Sequence, residues 1–248
     1  MAAGTRWLAV GDTVMLTIDT RDTHIYPIMI LISIALGITA QYILNIRRGI
    51  QKPIAGLAVL SGYFFCLTGG ILLTLVMSGW REIGLSSLGG LIGMYAGNAL
   101  VGAFSKRPYY STILIQDCTL VLPLMYSVSK IGCFGAGCCR GIAYHGVWAV
   151  HYLTDTGTVT VLPVQLLETI CFGLIFAAAM LLYIRRQRNA VHMVFLTGLS
   201  GKFALDFLRE SHADVILSNT QILCLLLILT DVVVLIRKQM KKRSPQGI

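Results

Sequence analysis

The chain has 248 residues, of which 56% are hydrophobic and 12% charged, with a mean hydropathy of +0.75 and a formal net charge of +9. A soluble domain carries about 25% charged residues, so this composition excludes an ordinary soluble enzyme and points to a polytopic membrane protein. The positive balance is no argument for nucleic acid. No RNA- or DNA-binding motif accompanies it, and basic clusters between apolar runs report topology and contact with anionic lipid.

Residues 1–24 lack the basic start, compact apolar region and small-residue cleavage site of a signal peptide. Arg6, Asp12, Asp19, Arg21 and Asp22 make them a polar lead-in, with Thr5–Leu16 a short interfacial piece. Apolar runs then predict seven spans: Ile25–Leu44, Ile54–Met77, Leu85–Phe104, Thr112–Val128, Val164–Ile184, His192–Leu208 and Val215–Ile236. The third is rich in glycine and suited to close helix packing. The fourth contains Asp117. Gly146–Tyr152 reads as a second interfacial piece.

The expected architecture is therefore all-α, a seven-span membrane domain over 25–236 with a loop at 129–162 and a basic tail at 237–248. Arg47, Arg48 and Lys52 follow the first span, Lys106 and Arg107 the third, and Arg185, Arg186 and Arg188 the fifth. Arg237, Lys238, Lys241, Lys242 and Arg243 follow the seventh. All fall on one side of the membrane. The positive-inside rule makes that side cytoplasmic, with the N-terminus outside.

The loop opens on Lys130–Gly141, K-I-G-C-F-G-A-G-C-C-R-G, with four glycines, three cysteines and two cations in a largely apolar chain. Glycines permit backbone that other residues resist. Topology places Lys130, Arg140, Lys202 and Arg209, together with Glu168, Asp206 and Glu210, toward the outer side. A cationic cavity in the outer half of a bilayer suits a phospholipid headgroup, because phosphate takes charge-assisted hydrogen bonds from Lys and Arg. Structural ion pairs and interfacial anchors are the plainer reading of the same residues.

Cys133, Cys138 and Cys139 have four readings. They are small packing residues, or Cys133 and Cys138 pair as a disulfide. A zinc site would draw on His145 or His151, and a nucleophile would be activated by Lys130 and Arg140. The spacing C-x4-C-C is not a usual zinc pattern, and neither a metal nor another cofactor is expected. His145 and His151, with Tyr144, Trp148 and Tyr152, form an interfacial aromatic belt or supply a base. Gln165 and Glu168 share a helical face, as do Asp206 and Arg209.

Several of these stretches resemble the prolipoprotein diacylglyceryl transferase family, in family order and over most of the chain after about residue 60. Leu88–Gly93, L-G-G-L-I-G, is similar to H-G-G-[LM]-[IL]-G. Lys130–Gly141 resembles R-[IL]-G-N-F-x-N-x-E-x-x-G, particularly its cysteine-bearing form G-C-F-x-x-G-C-C-x-G. Leu162–Glu168 resembles H-P-[ST]-Q-L-Y-E, Lys202–Glu210 resembles R-F-x-x-E-F-x-R-x, and Ser218–Gln221 resembles L-[ST]-x-x-Q.

The resemblance implies transfer of a diacylglyceryl group from phosphatidylglycerol to the cysteine thiol of a prolipoprotein, in a bacterial plasma membrane. It implies catalytic roles for Lys130 and Lys202, with Arg140 supplying a guanidinium nearby and His145 the base that Leu88 is not. It implies substrate contacts from Gly89, Gly90, Gly132, Cys133, Gly137, Cys138, Gly141, Gln165, Glu168 and Arg209. The family's histidine is Leu88 here, two of its arginines are Lys130 and Lys202, and its asparagine and acid are Cys133 and Cys138. These departures keep a second expectation open: a phospholipid-binding protein on the same fold with another acceptor or no turnover.

Overall fold

The computed structural model of the chain describes residues 5–10, 13–20, 24–107, 109–155, 157–187, 189–212 and 216–243. Asp12, Arg21, Asp22, Arg188, Val215 and the last five residues of the basic tail lie outside the described residues. Among the described residues seven α-helices dominate: α1 Ile25–Arg47, α2 Lys52–Met77, α3 Ser87–Phe104, α4 Tyr109–Ala136, α5 Val164–Ile184, α6 Ala190–Asp206 and α7 Asn219–Arg243. Six of them are long and apolar enough to cross a membrane. The exception is α6, with 17 residues that include Lys202 and Asp206.

Two expectations are corrected. The fourth span does not end at Val128; α4 continues to Ala136, so Lys130, Gly132 and Cys133 are helical rather than part of a loop. The helix survives its glycines because they are packing positions. A side chain at Gly132 would meet Met29 and Tyr26 of α1, and one at Gly135 would meet Ile25. Close approach to α1 thus compensates the weak helix propensity of glycine.

The second correction concerns the lead-in and the Gly146–Tyr152 piece. The helical body also carries a four-stranded sheet, β1 Thr5–Val10, β2 Thr13–Asp19, β3 Val150–Thr154 and β4 Gly157–Val161, in the order β1-β2-β3-β4. The two hairpins join through the parallel β2–β3 pair. Ile18, Val150, Tyr152 and Val161 form its buried face against Phe134. The Tyr152 hydroxyl donates to the Phe134 carbonyl at 3.0 Å, which ties the sheet to the last turn of α4.

Helix α3 lies along α2 through a glycine stripe. Cβ atoms at Gly89, Gly93 and Gly97 would run into the α2 backbone at Gly69, Phe65 and Ser61, and one at Gly90 would meet the Cys66 sulfur at 3.1 Å. Gly89 and Gly90 therefore serve the close packing of α3 on α2. Buried polar pairs join the other helices: Gln41 to Asn98 at 2.8 Å, Ser33 to the Met125 carbonyl at 2.8 Å, and Arg48 to Asp117 at 2.7 Å. In a bilayer such bonds, with close packing, hold helices together where lipid is as apolar as the side chains.

The stripe makes a paired prediction. Gly93→Val forces α2 and α3 apart and should cost about 1–3 kcal/mol, read as a lower midpoint of thermal unfolding in detergent. Gly56, on the same helix pair but with open space around it, should behave oppositely. Gly56→Ala should gain about 0.5–1 kcal/mol from helix propensity alone.

Candidate active site

One carboxylate gathers the cations. Glu168, in the second turn of α5, is fully buried. Its Oε2 meets the Lys130 ammonium of α4 at 2.9 Å. Its Oε1 accepts from Arg209 Nη2 at 2.6 Å and from the Tyr126 hydroxyl at 2.7 Å, and lies 3.4 Å from the Lys202 ammonium of α6. The Tyr126 hydroxyl accepts in turn from Lys202 at 2.7 Å. Both ammonium groups stand over the Tyr126 ring, 5.0 and 5.1 Å from its centre, within the range of a cation–π attraction.

Helical spacing explains why these side chains meet. Tyr126 and Lys130 are four apart on α4 and so share a face, as do Gln165 and Glu168 on α5. Asp206 closes the cluster: Arg209 Nε lies 3.7 Å from its Oδ1, and Ser218 donates to its Oδ2. Ser218 also caps α7. Its Oγ accepts from the Gln221 amide at 3.1 Å, while Gln221 Oε1 accepts from the Ser218 amide at 2.9 Å, the reciprocal bonds of a capping box. Lys130, Lys202 and Arg209 against Glu168 and Asp206 leave one positive charge in excess.

The loop after α4 runs beside this cluster. Gly137 adopts φ 64° and turns the chain out of the helix, and Cys139 follows at φ 55°. Gln165 Nε2 donates to the Cys138 carbonyl at 2.8 Å. Gly141 pairs with Arg209 and Ala143 with Val161 as isolated bridges, where a side chain at Gly141 would meet Leu162 and Val164. All seven cysteines are free. The sulfur atoms of Cys133, Cys138 and Cys139 lie within 4.8 Å of one another. Hydrogen bonds from Cys133 and Cys138 hold the Cys139 thiol well below the ordinary thiol range, with Lys130 and Arg209 adding positive potential against the cost of desolvation.

Three sequence candidates stay apart from the cluster. Arg140 pairs at 3.4 Å with Glu210, which is largely exposed, and so sits at the rim. His145 is exposed, and His151 pairs across the sheet with Thr160 at 2.7 Å. Neither histidine joins the three thiols. Tyr126 was not singled out by the sequence reading; in an apolar span a tyrosine carries no signal of its own, and only its spacing from Lys130 marks it.

Beside Tyr126 and Lys202 opens a small cleft of about 80 Å³ between α3, α4, α5 and α6. Leu88, Leu91, Phe172, Phe195 and Leu199 make its walls apolar. A family model for prolipoprotein diacylglyceryl transferase matches residues 13–237. The chain belongs to the prolipoprotein diacylglyceryl transferase family. No curated protein gives a match. Family membership makes it a transferase of lipoprotein biosynthesis and a multi-pass membrane protein. Ser218–Gln221, which resembles a family motif, is here a helix cap, and Leu88, at the family's histidine, is a buried wall of the cavity.

Removing one partner of a buried ion pair costs about 3–5 kcal/mol, because the other charge is left uncompensated. Glu168→Gln should therefore lower the thermal unfolding midpoint steeply. The double variant Glu168→Gln with Lys202→Met should recover part of that loss, since a buried charge is removed with its partner. A double-mutant cycle on unfolding in detergent measures the coupling.

Proposed function

We propose that this chain moves a diacylglyceryl group from phosphatidylglycerol to the cysteine thiol of a prolipoprotein, with Lys130, Lys202 and Arg209 holding the donor's phosphate. The observation that carries the reading is that Tyr126 and Lys202 belong both to the cation cluster and to the wall of the apolar cavity. A phospholipid has this same join of an anionic head to apolar chains. The excess positive charge of the cluster is answered by the phosphate, and Leu88 packs an acyl chain.

The reaction asks three things of the site. The acceptor sulfur attacks the glyceryl carbon as thiolate, so its proton must leave. The carbon–oxygen bond to phosphate breaks, and cations already in place stabilise the leaving glycerol phosphate. The donor must be held in line, which the cavity and the head contacts do together. Lys130 and Lys202 act as compact point charges, and Arg209 supplies the planar two-donor contact that a lysine cannot.

On this reading α6 also crosses the membrane and brings the spans to seven, the N-terminus lies outside and the C-terminus is cytoplasmic, in a bacterial plasma membrane. The ends that meet support the alternation. His192 at the start of α6 pairs with Asp231 at the middle of α7 at 2.8 Å, and Lys202 toward the other end of α6 meets the start of α5. The basic loops then share one side. Leu88 favours a second reading, a lipid-binding protein with another acceptor, because it removes the family's histidine. That reading expects phosphatidylglycerol to co-purify intact and no thioether to form.

Purified protein given labelled phosphatidylglycerol and a peptide with a lipobox cysteine should form a thioether product. Arg209→Ala should lower the rate about 100- to 1,000-fold, the loss typical of one transition-state donor. Arg140→Ala, at the rim, should lose much less. No product with any thiol acceptor overturns the transfer reading.

A further inference from the structure

Three thiols converge where the family pattern has an asparagine and an acid, and the backbone is bent to bring them together. Cys133 lies in the last turn of α4 and is buried, while Cys139 is exposed. The chain reverses at Gly137 and again at Cys139, both at positive φ. For a residue other than glycine that conformation costs about 1–2 kcal/mol. Its effect is to return the third sulfur to the other two. Gln165 fixes the loop from α5 through the Cys138 carbonyl, and its own Oε1 is buried without a hydrogen-bond partner.

The spacing fits an ion better than a bond between two of the sulfurs. A disulfide would draw two of them to about 2.05 Å and strand the third. Zinc–thiolate bonds of about 2.3 Å place three ligand sulfurs roughly 3.8–4.0 Å from one another, inside the 4.8 Å that bounds this cluster.

We propose that Cys133, Cys138 and Cys139 bind one zinc ion, and that the ion's open fourth position takes the acceptor thiol. The second half rests on the transfer reading above. Three protein ligands with an open position are the pattern of a reactive rather than a structural zinc, and a thiol bound to zinc is deprotonated outright. The site thereby supplies the activation that Leu88 cannot. In the step, the acceptor's S–H proton passes to solvent as the sulfur binds zinc. A sulfur lone pair then forms the C–S bond to the glyceryl carbon. The C–O bond to phosphate breaks, and its electron pair leaves on glycerol phosphate. Zinc stays divalent, and nothing is oxidised or reduced.

Placement supports the sequence of events. Cys133 and Lys130 are three apart on α4, and Gln165 and Glu168 three apart on α5, so the same two helices carry the thiol site and the cation cluster about 4.5 Å apart along their axes.

The test uses the full chain, reduced, in detergent and stripped of metal by a chelator. Zinc added back should bind at one ion per chain by elemental analysis. Cobalt in its place should give thiolate charge-transfer absorption in the near ultraviolet. Cys139→Ser and Cys139→Gly should each weaken zinc binding at least about tenfold, an effect at the lower end of that seen for lost support of a metal site. Cys139→Gly should also raise the unfolding midpoint of the metal-free protein by relieving the positive φ, so that lost binding is not mistaken for lost folding. Cys66→Ser, on α2, should bind as the parent does. Absence of zinc from folded, reduced protein, or cobalt bound without a thiolate band, overturns the metal site. Transfer that persists in the stripped protein overturns its catalytic role and leaves the transfer reading intact. Zinc bound by the three thiols with no transfer to any thiol overturns the acceptor role and the transfer reading together, and leaves the metal site.

Discussion

Glu168 is the constraint on which the site depends. A carboxylate buried in apolar surroundings costs several kcal/mol unless it is paired, and Lys130, Lys202 and Arg209 are costly there for the same reason. Each makes the others tolerable. They come from α4, from α6 and from the segment after α6, and they meet a residue of α5. Helices in lipid gain little by hiding apolar surface from one another. The polar knot therefore has more say than usual in which helix ends meet, and one charge cluster fixes the packing of three helices.

The same knot holds two lysines at positions where the resembling family motifs have arginines. An ammonium group makes no planar two-point contact, and its position on a long flexible stem is poorly defined by a single carboxylate. Here Tyr126 adds a second restraint, with both ammonium groups over its ring and its hydroxyl between Lys202 and Glu168. The lysines are held by an aromatic face and an anion together. Arg209 needs less, because its guanidinium is already a rigid fork, and it is anchored through the Gly141 bridge as well.

Helices were legible because their apolar runs are long, and Val164–Ile184 coincides with its span. Glu168, Lys202 and Arg209 stood out because ionisable groups are rare in such runs. What could not be read depends on contacts between distant residues. The end of α4 lies beyond Val128 because α1 accepts the glycines at 132 and 135, and nothing local says so. The sheet forms because β2, near the N-terminus, finds β3 more than a hundred residues later. A short piece of polar and apolar residues shows no sheet until its partner is known. Arg140 drew notice by lying beside the cysteines in sequence, but the turn at Cys139 sends it to the rim, where Glu210 holds it.

Hard and soft chemistry meet at one carbon in the proposed reaction, and the fold provides for both on neighbouring turns. The phosphate side needs cations that lose no solvation energy when charge develops, and Glu168 has already organised them. The sulfur side needs a thiolate that stays reactive, which a thiophilic ion gives more directly than a base. In-line attack places the sulfur about 3–3.5 Å from the carbon at the outset, with the departing oxygen one bond length beyond. Cys133 and Lys130, three residues and about 4.5 Å of rise apart on α4, stand on one rigid helix, so the thiol side and the phosphate side of the proposed reaction share a single support.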